Sequence, residues 1–292
     1  MEVSMRLEAF AKINWSLDIV GVREDGYHMM DMVMQPVSLA DEITLTPAAR
    51  MSISTDGFPR TRADDSNLAM RAAILLRDYA GVDQSVSVHV HKRIPMGAGM
   101  GGGSADAAAV LFGLNRLWNL RYSLRELEQI GLALGADVPF CLHGGLTRTT
   151  GIGETLEDHP CRSNYWMLVF QPCHGLSTGE IFASFRLADA VHPDTSSVLS
   201  ALVTGDVNLL SSSAGNVLEP VSAERCPEIR QARNELYHCG ARLAAMTGSG
   251  SAVFGVFRSR QAAEHAMSSL SGHWNHIHLC HTQSDSIRIM EE

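Results

Sequence analysis

A segment nearly without side chains lies at residues 95–105, Pro-Met-Gly-Ala-Gly-Met-Gly-Gly-Gly-Ser-Ala, and more alanines follow it. Glycine loses more backbone entropy on folding than any other residue, so this density implies sharp turns or close approach to another group. Val86, Val88 and Val90 alternate before the segment, while Ala107, Val110, Leu111, Leu114 and Trp118 recur at helical spacing after it. Strand, loop and helix start therefore follow one another. Unpaired amides at a helix start, with the positive end of the helix dipole behind them, attract phosphate. Ser104 has two readings there, as helix N-cap or as a ligand of phosphate or magnesium.

Two familiar nucleotide motifs match the segment in part. Gly97, Gly99 and Gly102 satisfy G-x-G-x-x-G, but a dinucleotide fold needs a second parallel strand after the helix. Leu124, Leu127, Ile130 and Leu134 instead continue at helical spacing. Gly97 and Gly102 also have the separation of a P-loop, yet Gly103 stands where that motif needs lysine. Cationic charge must come from elsewhere, and Lys12 is the candidate, although a lone strand lysine is more often solvated. Asp137 is a second chemical candidate, as acceptor of a hydroxyl proton in phosphoryl transfer. Spacing alone favours an N-cap there, because Gly135 can end one helix and Val138-Pro139 can begin the next.

The elements that must hold these residues follow from periodicity. Leu7, Ala9, Ala11, Ile13, Trp15, Leu17 and Ile19 share one face, with Lys12, Asn14, Ser16 and Asp18 on the other, which predicts a half-buried strand. Arg23-Glu24-Asp25-Gly26 predicts a hairpin turn, placing Tyr27 and His28 just beyond it. Short strands are expected at 42–46 and 51–54, and a helix over 67–79 capped by Ser66. Past residue 160 the order is strand 165–170, helices from Thr178 and from Pro227 to Gly240, strands 242–246 and 252–257, helix 259–270 and strand 274–280. Counting the helical region once, this is the β-α-β-β-α-β order of a ferredoxin-like domain. The expected division is 1–160 and 161–292.

Composition narrows the classes. The 292 residues are 45% hydrophobic and 19% charged, the range of ordinary globular proteins. A net charge of -9 argues against a nucleic-acid-binding surface. With no run of about 18 apolar residues and no apolar leader, a cytoplasmic protein without membrane association is expected. Cys141, Cys161, Cys173, Cys226, Cys239 and Cys280 are scattered without a C-x-x-C pair, so reduced thiols are expected. His276, His278 and Cys280, with His273 and His281 nearby, form a candidate metal face, though strand histidines usually pack or face solvent. Nothing in the sequence fixes the oligomeric state.

The glycine segment resembles the phosphate loop of the GHMP small-molecule kinases, with Met100 and Ala105 as departures. Ala11-Lys12-Ile13-Asn14, Asp25-Gly26-Tyr27-His28 and Gly135-Ala136-Asp137-Val138-Pro139-Phe140 resemble the branch that acts on a cytidine diphosphate-linked methylerythritol. The likeness continues through 151–154, 216–220 and 248–251, and so spans almost the whole chain. It implies an α+β, two-domain fold: an N-terminal ribosomal-protein-S5-like α/β domain, a C-terminal ferredoxin-like domain, and an active site in the cleft between them. The implied activity is ATP-dependent phosphorylation of a substrate hydroxyl in non-mevalonate isoprenoid synthesis, with Mg2+.

The resemblance also implies residue roles. Asp137 sits at the acceptor hydroxyl and Lys12 between it and the phosphates. An ordinary aspartate is a feeble base at neutral pH, so Asp137 would orient the hydroxyl and take its proton as the new bond forms. Pro95, Met96, Gly97, Ala98, Gly99, Met100, Gly101, Gly102, Gly103, Ser104 and Ala105 wrap the ATP phosphates, and Asn67 and Lys92 lie near adenine. The bland reading of Lys92 is a solvated strand end. Tyr27 and Phe182 sandwich the cytosine, His28 bonds its polar edge, and Asn14 and Thr178 hold the methylerythritol hydroxyls. Without the resemblance, Phe182 reads as a core residue and Tyr27 as part of a strand pair. Val22, Trp15 and Cys141 depart from the family pattern, the last two with consequences expected for nearby packing.

Overall fold

The computed structural model describes residues 4–24, 26–58, 61–161 and 164–291, leaving Asp25 of the expected turn outside. Its framework is the antiparallel pair β1 (Met5–Val22) and β2 (His28–Pro47), joined through residues 23–27. The turn closes where the Arg23 amide donates to the Tyr27 carbonyl at 2.8 Å and the Gly26 amide to the Arg23 carbonyl at 2.9 Å. The short strand expected at 42–46 is the far end of β2. It is not separate, because the long apolar run of β2 is interrupted only by a shift of register and not by a turn.

Around this pair the first sheet adds β3 (Ser52–Gly57), β4 (Val86–Lys92), β5 (Leu146–Gly151) and β6 (Thr155–His159). Helices α1 (Leu68–Ala80), α2 (Gly102–Leu117), α3 (Leu124–Leu132) and α4 (Val138–His143) cover its apolar face. Asn67, not Ser66, caps α1: its side chain accepts from the Ala69 amide at 3.0 Å, while Ser66 is taken up by Asp64. Asparagine one residue later satisfies the same unpaired donor, so the signal was real and its position off by one.

The second sheet contains β7 (Trp166–Phe170), β9 (Leu243–Met246) and β10 (Val253–Phe257); between β7 and β9 the chain forms helices α5 (Thr178–Ser184), α6 (Thr195–Thr204) and α7 (Val207–Ser213), the short β8 (Gly215–Asn216), and helices α8 (Glu219–Arg225) and α9 (Glu228–His238). Helix α10 (Arg260–Leu270) and β11 (His278–His281) complete it, in the antiparallel order β11-β7-β10-β9. That is the ferredoxin-like arrangement expected from the periodicity. The expected boundary at 160 falls between β6 and β7, but the chain later crosses it: β8 and β12 (Ile287–Glu291) both pair with β1 in the first sheet.

The largest departure from the sequence reading concerns β1. A strict alternation would put every odd residue from 7 to 19 on one face, with the even residues in water. Instead Leu7 and Ala9 join the core beneath the helices, Ala11, Ile13 and Trp15 the core between the sheets, and Leu17 and Ile19 the first core again. The exchanges coincide with register shifts between Phe10 and Lys12 and between Asn14 and Ser16. A one-residue slip swaps the faces of a strand. Pro36, which has no N–H to offer the ladder, lies opposite Lys12 at the first shift. Between the two shifts the polar residues Lys12 and Asn14 point inward and not to solvent, Lys12 to a cavity and Asn14 behind its wall.

Trp15 closes the inter-sheet core. It is 0% exposed, meets Tyr165 and Phe254 edge-on at 5.3 and 5.7 Å, and donates from Nε1 to Gln35 at 3.0 Å. Trp15 thus packs in the inter-sheet core, to which Ala98 and Met100 of the glycine loop also belong. A second correction concerns the thiols. Cys173, just past β7, and Cys226, at the end of α8, are joined as a disulfide, because the fold brings together positions 53 apart in sequence. Replacing Trp15 by Ala should destabilise the fold by about 3–5 kcal/mol, read as a lowered urea midpoint with an unchanged slope; a midpoint within error of the parent protein would refute this account of the core.

Candidate active site

The glycine segment leaves β4 and enters α2 through three residues of positive φ, Gly97 (61°), Gly99 (76°) and Gly101 (70°). All three have a steric reason as well: a Cβ on Gly97 would lie 3.0 Å from Cα of Gly175. A Cβ on Gly99 would lie 2.2 Å from the Thr247 carbonyl oxygen, and one on Gly101 3.2 Å from Cγ of Lys12. Gly101 occupies the N-cap position of α2 with no side-chain cap, so the amides of the first turn stay open toward the pocket. Ser104 is inside that first turn. The N-cap reading is therefore corrected, and its hydroxyl remains a pocket donor.

Beneath the loop lies a buried cluster of three ionisable side chains. Lys92 is 3% exposed, and its ammonium donates to Asp106 of α2 at 2.7 Å and to Asp41 of β2. Asp41 also accepts from the amides of Arg93 and Ile94 at 2.6 and 2.9 Å. One carboxylate thus holds the chain entering the loop, the other the helix leaving it, and the lysine joins them. Burial opposes the charge of Lys92, but Asp106 and Asp41 outweigh it and hold the ammonium above its usual range. Burial pushes Asp106 up to about 8, against the pull of Lys92 and with the push of Asp41. The reading of Lys92 as a solvated strand end is overturned. Lys92 is among the residues lining the pocket, and its ammonium is held by Asp41 and Asp106.

Lys12 comes up from the opposite side. Its backbone amide donates to the Met100 carbonyl at 3.0 Å, which stitches β1 to the loop. Its Nζ donates to Oδ1 of Asn14 at 2.7 Å and lies 3.7 Å from Oδ2 of Asp137. Asp137 occupies the N-cap position of α4, as spacing suggested, yet its side chain makes no capping bond and turns to Lys12. The far end of α4 is fixed by His143, bridging Glu128 and Asp158 at 2.7 Å each. Cys141, in the same helix, is fully buried with its thiol pushed well above the usual range by burial. Lys12 and Lys92 are the only lysines in the sequence, and both line this pocket.

The cavity measures about 710 Å³. Of the residues expected at the site, it is lined by Lys12, Tyr27, His28, Lys92, Pro95, Met96, Gly97, Ala98, Gly99, Met100, Gly101, Gly102, Gly103, Ser104, Asp137, Thr178 and Phe182. Away from the loop the walls become apolar and aromatic. Phe182 of α5 tilts against His28 at 5.2 Å, and Tyr27 stands 60% exposed at the rim. Thr178 shares a hydrogen bond with Ser249 at 2.9 Å.

Three expected residues do not reach the cavity wall. Asn14 is buried, and its oxygen is filled by Lys12, by Thr247 and by the Gly248 amide at 3.0 Å. Asn67 spends its side chain on capping α1 and on the Arg62 carbonyl. Ala105 is buried in the helix core. Met30, Met32 and Ile152 form wall that the sequence reading missed, since apolar residues on strands read as core. The candidate metal face also fails to assemble: His276 stacks on Phe58 at 4.4 Å, and Cys280 is in the inter-sheet core. Among the described residues, the only three metal-ligating side chains that converge are Cys173, Cys226 and Glu228, and the two cysteines are bonded to each other.

A glycine loop at a helix start, a lysine and aspartate facing each other across it, and a ferredoxin-like second sheet behind define a small-molecule kinase of the GHMP class. The comparisons agree: residues 67–145 match the GHMP kinases N terminal domain and residues 198–276 the GHMP kinases C terminal domain. A 4-diphosphocytidyl-2-C-methyl-D-erythritol kinase of Alkaliphilus metalliredigens is 38% identical over 285 residues, 96% of this chain and 97% of its own. That of Bacillus subtilis is 38% identical over 272 residues, covering 93% and 94%. The crystal structure of a 4-(cytidine 5'-diphospho)-2C-methyl-D-erythritol kinase superposes with a TM-score of 0.81 at 33% identity, over 95% of this chain and 99% of that one. Homoserine kinase from Cytophaga hutchinsonii shares the fold, with a TM-score of 0.76 at 16% identity. The chain belongs to the 4-diphosphocytidyl-2-C-methyl-D-erythritol kinase family.

The charge cluster makes a pH prediction. Between the ordinary aspartate pKa near 4 and about 8, the folded state holds a proton on Asp106 that the unfolded chain releases, so this group's contribution to stability falls as pH rises through that window. Asp106→Asn, which resembles the protonated form, should fold and should lose that contribution. Urea midpoints at pH 6 and pH 8.5 should therefore differ less in the variant than in the parent protein, and an equal difference would show that Asp106 holds no such proton.

Proposed function

We propose that the protein transfers the γ-phosphoryl group of ATP to the 2-hydroxyl of 4-diphosphocytidyl-2-C-methyl-D-erythritol, giving the 2-phosphate and ADP in the non-mevalonate route to isoprenoid precursors. The observation that carries this reading is the placement of Lys12 and Asp137, 3.7 Å apart, between the open amides of α2 and the aromatic end of the same cavity. Phosphoryl transfer needs little covalent chemistry from a protein; it needs two substrates in line and compensation of charge.

The loop from Pro95 to Ser104 cradles the triphosphate with backbone amides, and the α2 dipole adds attraction. Asp137 accepts a hydrogen bond from the substrate hydroxyl and takes its proton as the bond to phosphorus forms. Lys12 faces both Asp137 and the transferred group, where it offsets charge that grows in the transition state. At the other end His28, Phe182 and Tyr27 receive the cytosine ring, by stacking and by a hydrogen bond to its polar edge. Thr178 contacts the methylerythritol hydroxyls. Mg2+ fits the donors present: Ser104 and Asp137 offer a hydroxyl and a carboxylate, the hard oxygens this ion takes while keeping most of its water, and phosphate-bound Mg2+ would neutralise charge on the phosphates. We place the reaction in the cytoplasm; no helix of the described residues is long and apolar enough to cross a membrane.

Purified protein given ATP, Mg2+ and the cytidine diphosphate-linked substrate should form ADP and the 2-phosphate, followed by phosphorus NMR, and should leave homoserine and mevalonate untouched. Absence of turnover from a folded preparation would defeat the assignment. Asp137→Asn should lower kcat by about 10²–10⁴-fold with little change in KM for ATP; near-normal kcat would remove Asp137 from its proposed task.

A further inference from the structure

Thr247 lies in the loop between β9 and β10, 0% exposed and outside the cavity wall, yet two separate segments of the site, β1 and the glycine loop, meet on it. Its Oγ1 accepts a hydrogen bond from the Asn14 amide at 3.0 Å. The one hydroxyl proton has two acceptors in reach, Oδ1 of Asn14 at 3.3 Å and the Gly99 carbonyl at 3.4 Å. Its own carbonyl occupies the space that a side chain on Gly99 would need. The next residue, Gly248, donates its amide to the same Asn14 oxygen at 3.0 Å, and Asn216 holds the Gly248 carbonyl at 2.8 Å.

Asn14 is thereby fixed in roll and in the sense of its amide. With the Gly248 amide donating to Oδ1, the Thr247 hydroxyl within reach of the same oxygen, and Nδ2 turned to the Met32 sulfur at 3.4 Å, the oxygen is the face left for a cation. The Lys12 ammonium takes it at 2.7 Å. A flipped Asn14 would present an NH2 to that ammonium, donor against donor. We propose that Thr247 is a positioning residue for phosphoryl transfer: its hydroxyl fixes Asn14, and through Asn14 the Lys12 ammonium, in register with the phosphate loop and Asp137. The proposal rests on the kinase reading only for its kinetic consequence, since the ordering of Lys12 belongs to the protein without substrate.

Thr247→Val keeps the shape and removes the hydroxyl; Thr247→Ser restores the hydroxyl without the methyl. Because the sequence holds two lysines, nitrogen-15 lysine labelling gives two side-chain signals, assigned with a Lys12→Met variant. In the valine variant the Lys12 signal should move, with the Lys92 signal unchanged, and in the serine variant it should return to the parent position. Kinetically, valine should lower kcat about 10- to 100-fold with KM for ATP changed by less than about threefold, and serine should recover most of the loss. An unmoved Lys12 signal or a parental kcat in the valine variant overturns the proposal. So do equal losses in the valine and serine variants accompanied by equal falls in melting temperature, which would make Thr247 a packing residue. If the parent protein itself shows no turnover the kinase assignment fails, and the Lys12 signal still decides the role of Thr247.

Discussion

A loop that is to take phosphate on bare amides, as proposed for residues 95–104, must be held open by something other than its own hydrogen bonds, and here that support is the buried cluster of Lys92, Asp41 and Asp106. Burying one lysine against two carboxylates carries a large desolvation cost, which attraction and hydrogen bonds offset only when nearly every polar atom finds a partner. Asp41 meets the condition with two backbone amides and the ammonium. Asp106 meets it incompletely: its Oδ1 has no hydrogen-bond partner among the described residues, and a proton on that carboxyl lowers the cost of leaving it so. The arrangement fixes both ends of the glycine segment to one point. The segment between can then take the left-handed conformations that leave its amides facing the cavity.

The second constraint is economy of strand. β1 serves both cores and the site, and its shifts of register at Phe10/Lys12 and Asn14/Ser16 make this possible by changing which residues face which layer. Were the strand regular, Lys12 and Asn14 would share a face with Ser16 and Asp18 over their whole length, and Trp15 would have no inter-sheet core to fill. Pro36 enforces the first shift, and the amide of Lys12 pairs with the Met100 carbonyl across from it. The catalytic strand and the phosphate loop are thus tied through main chain, independent of the side chains that do the chemistry.

Much of this was open to reading from the sequence, for physical reasons that differ by residue. The strand, glycine and helix succession around residue 97 is local, and local periodicity survives folding. The ferredoxin-like order was legible because its strands are short, apolar and separated by clear helices. The β1 face exchange was not, since a bulge leaves no mark on alternation within its own strand; only Pro36 on the partner hinted at it. Lys92 looked like a strand end beside His91 and Arg93, and nothing local shows that Asp41 and Asp106 converge on it from 51 and 14 residues away. Asn14 was found by resemblance, and its side chain lies behind the cavity wall on Lys12, Thr247 and Gly248. Thr247 went unnoticed because its partners are 233 and 148 residues distant.

The two lysines carry a consequence that reaches past catalysis. All other fixed positive charge belongs to arginine, so the exterior presents no side-chain primary amine, and the two that exist are 4% and 3% exposed within the cleft. Acetylation, glycation and conjugation at lysine side chains, which ordinarily scatter over a surface, here have no outward address. A small acyl donor able to enter the pocket would find only the groups on which phosphate transfer and loop support depend, and one too large to enter would leave the lysines as they are.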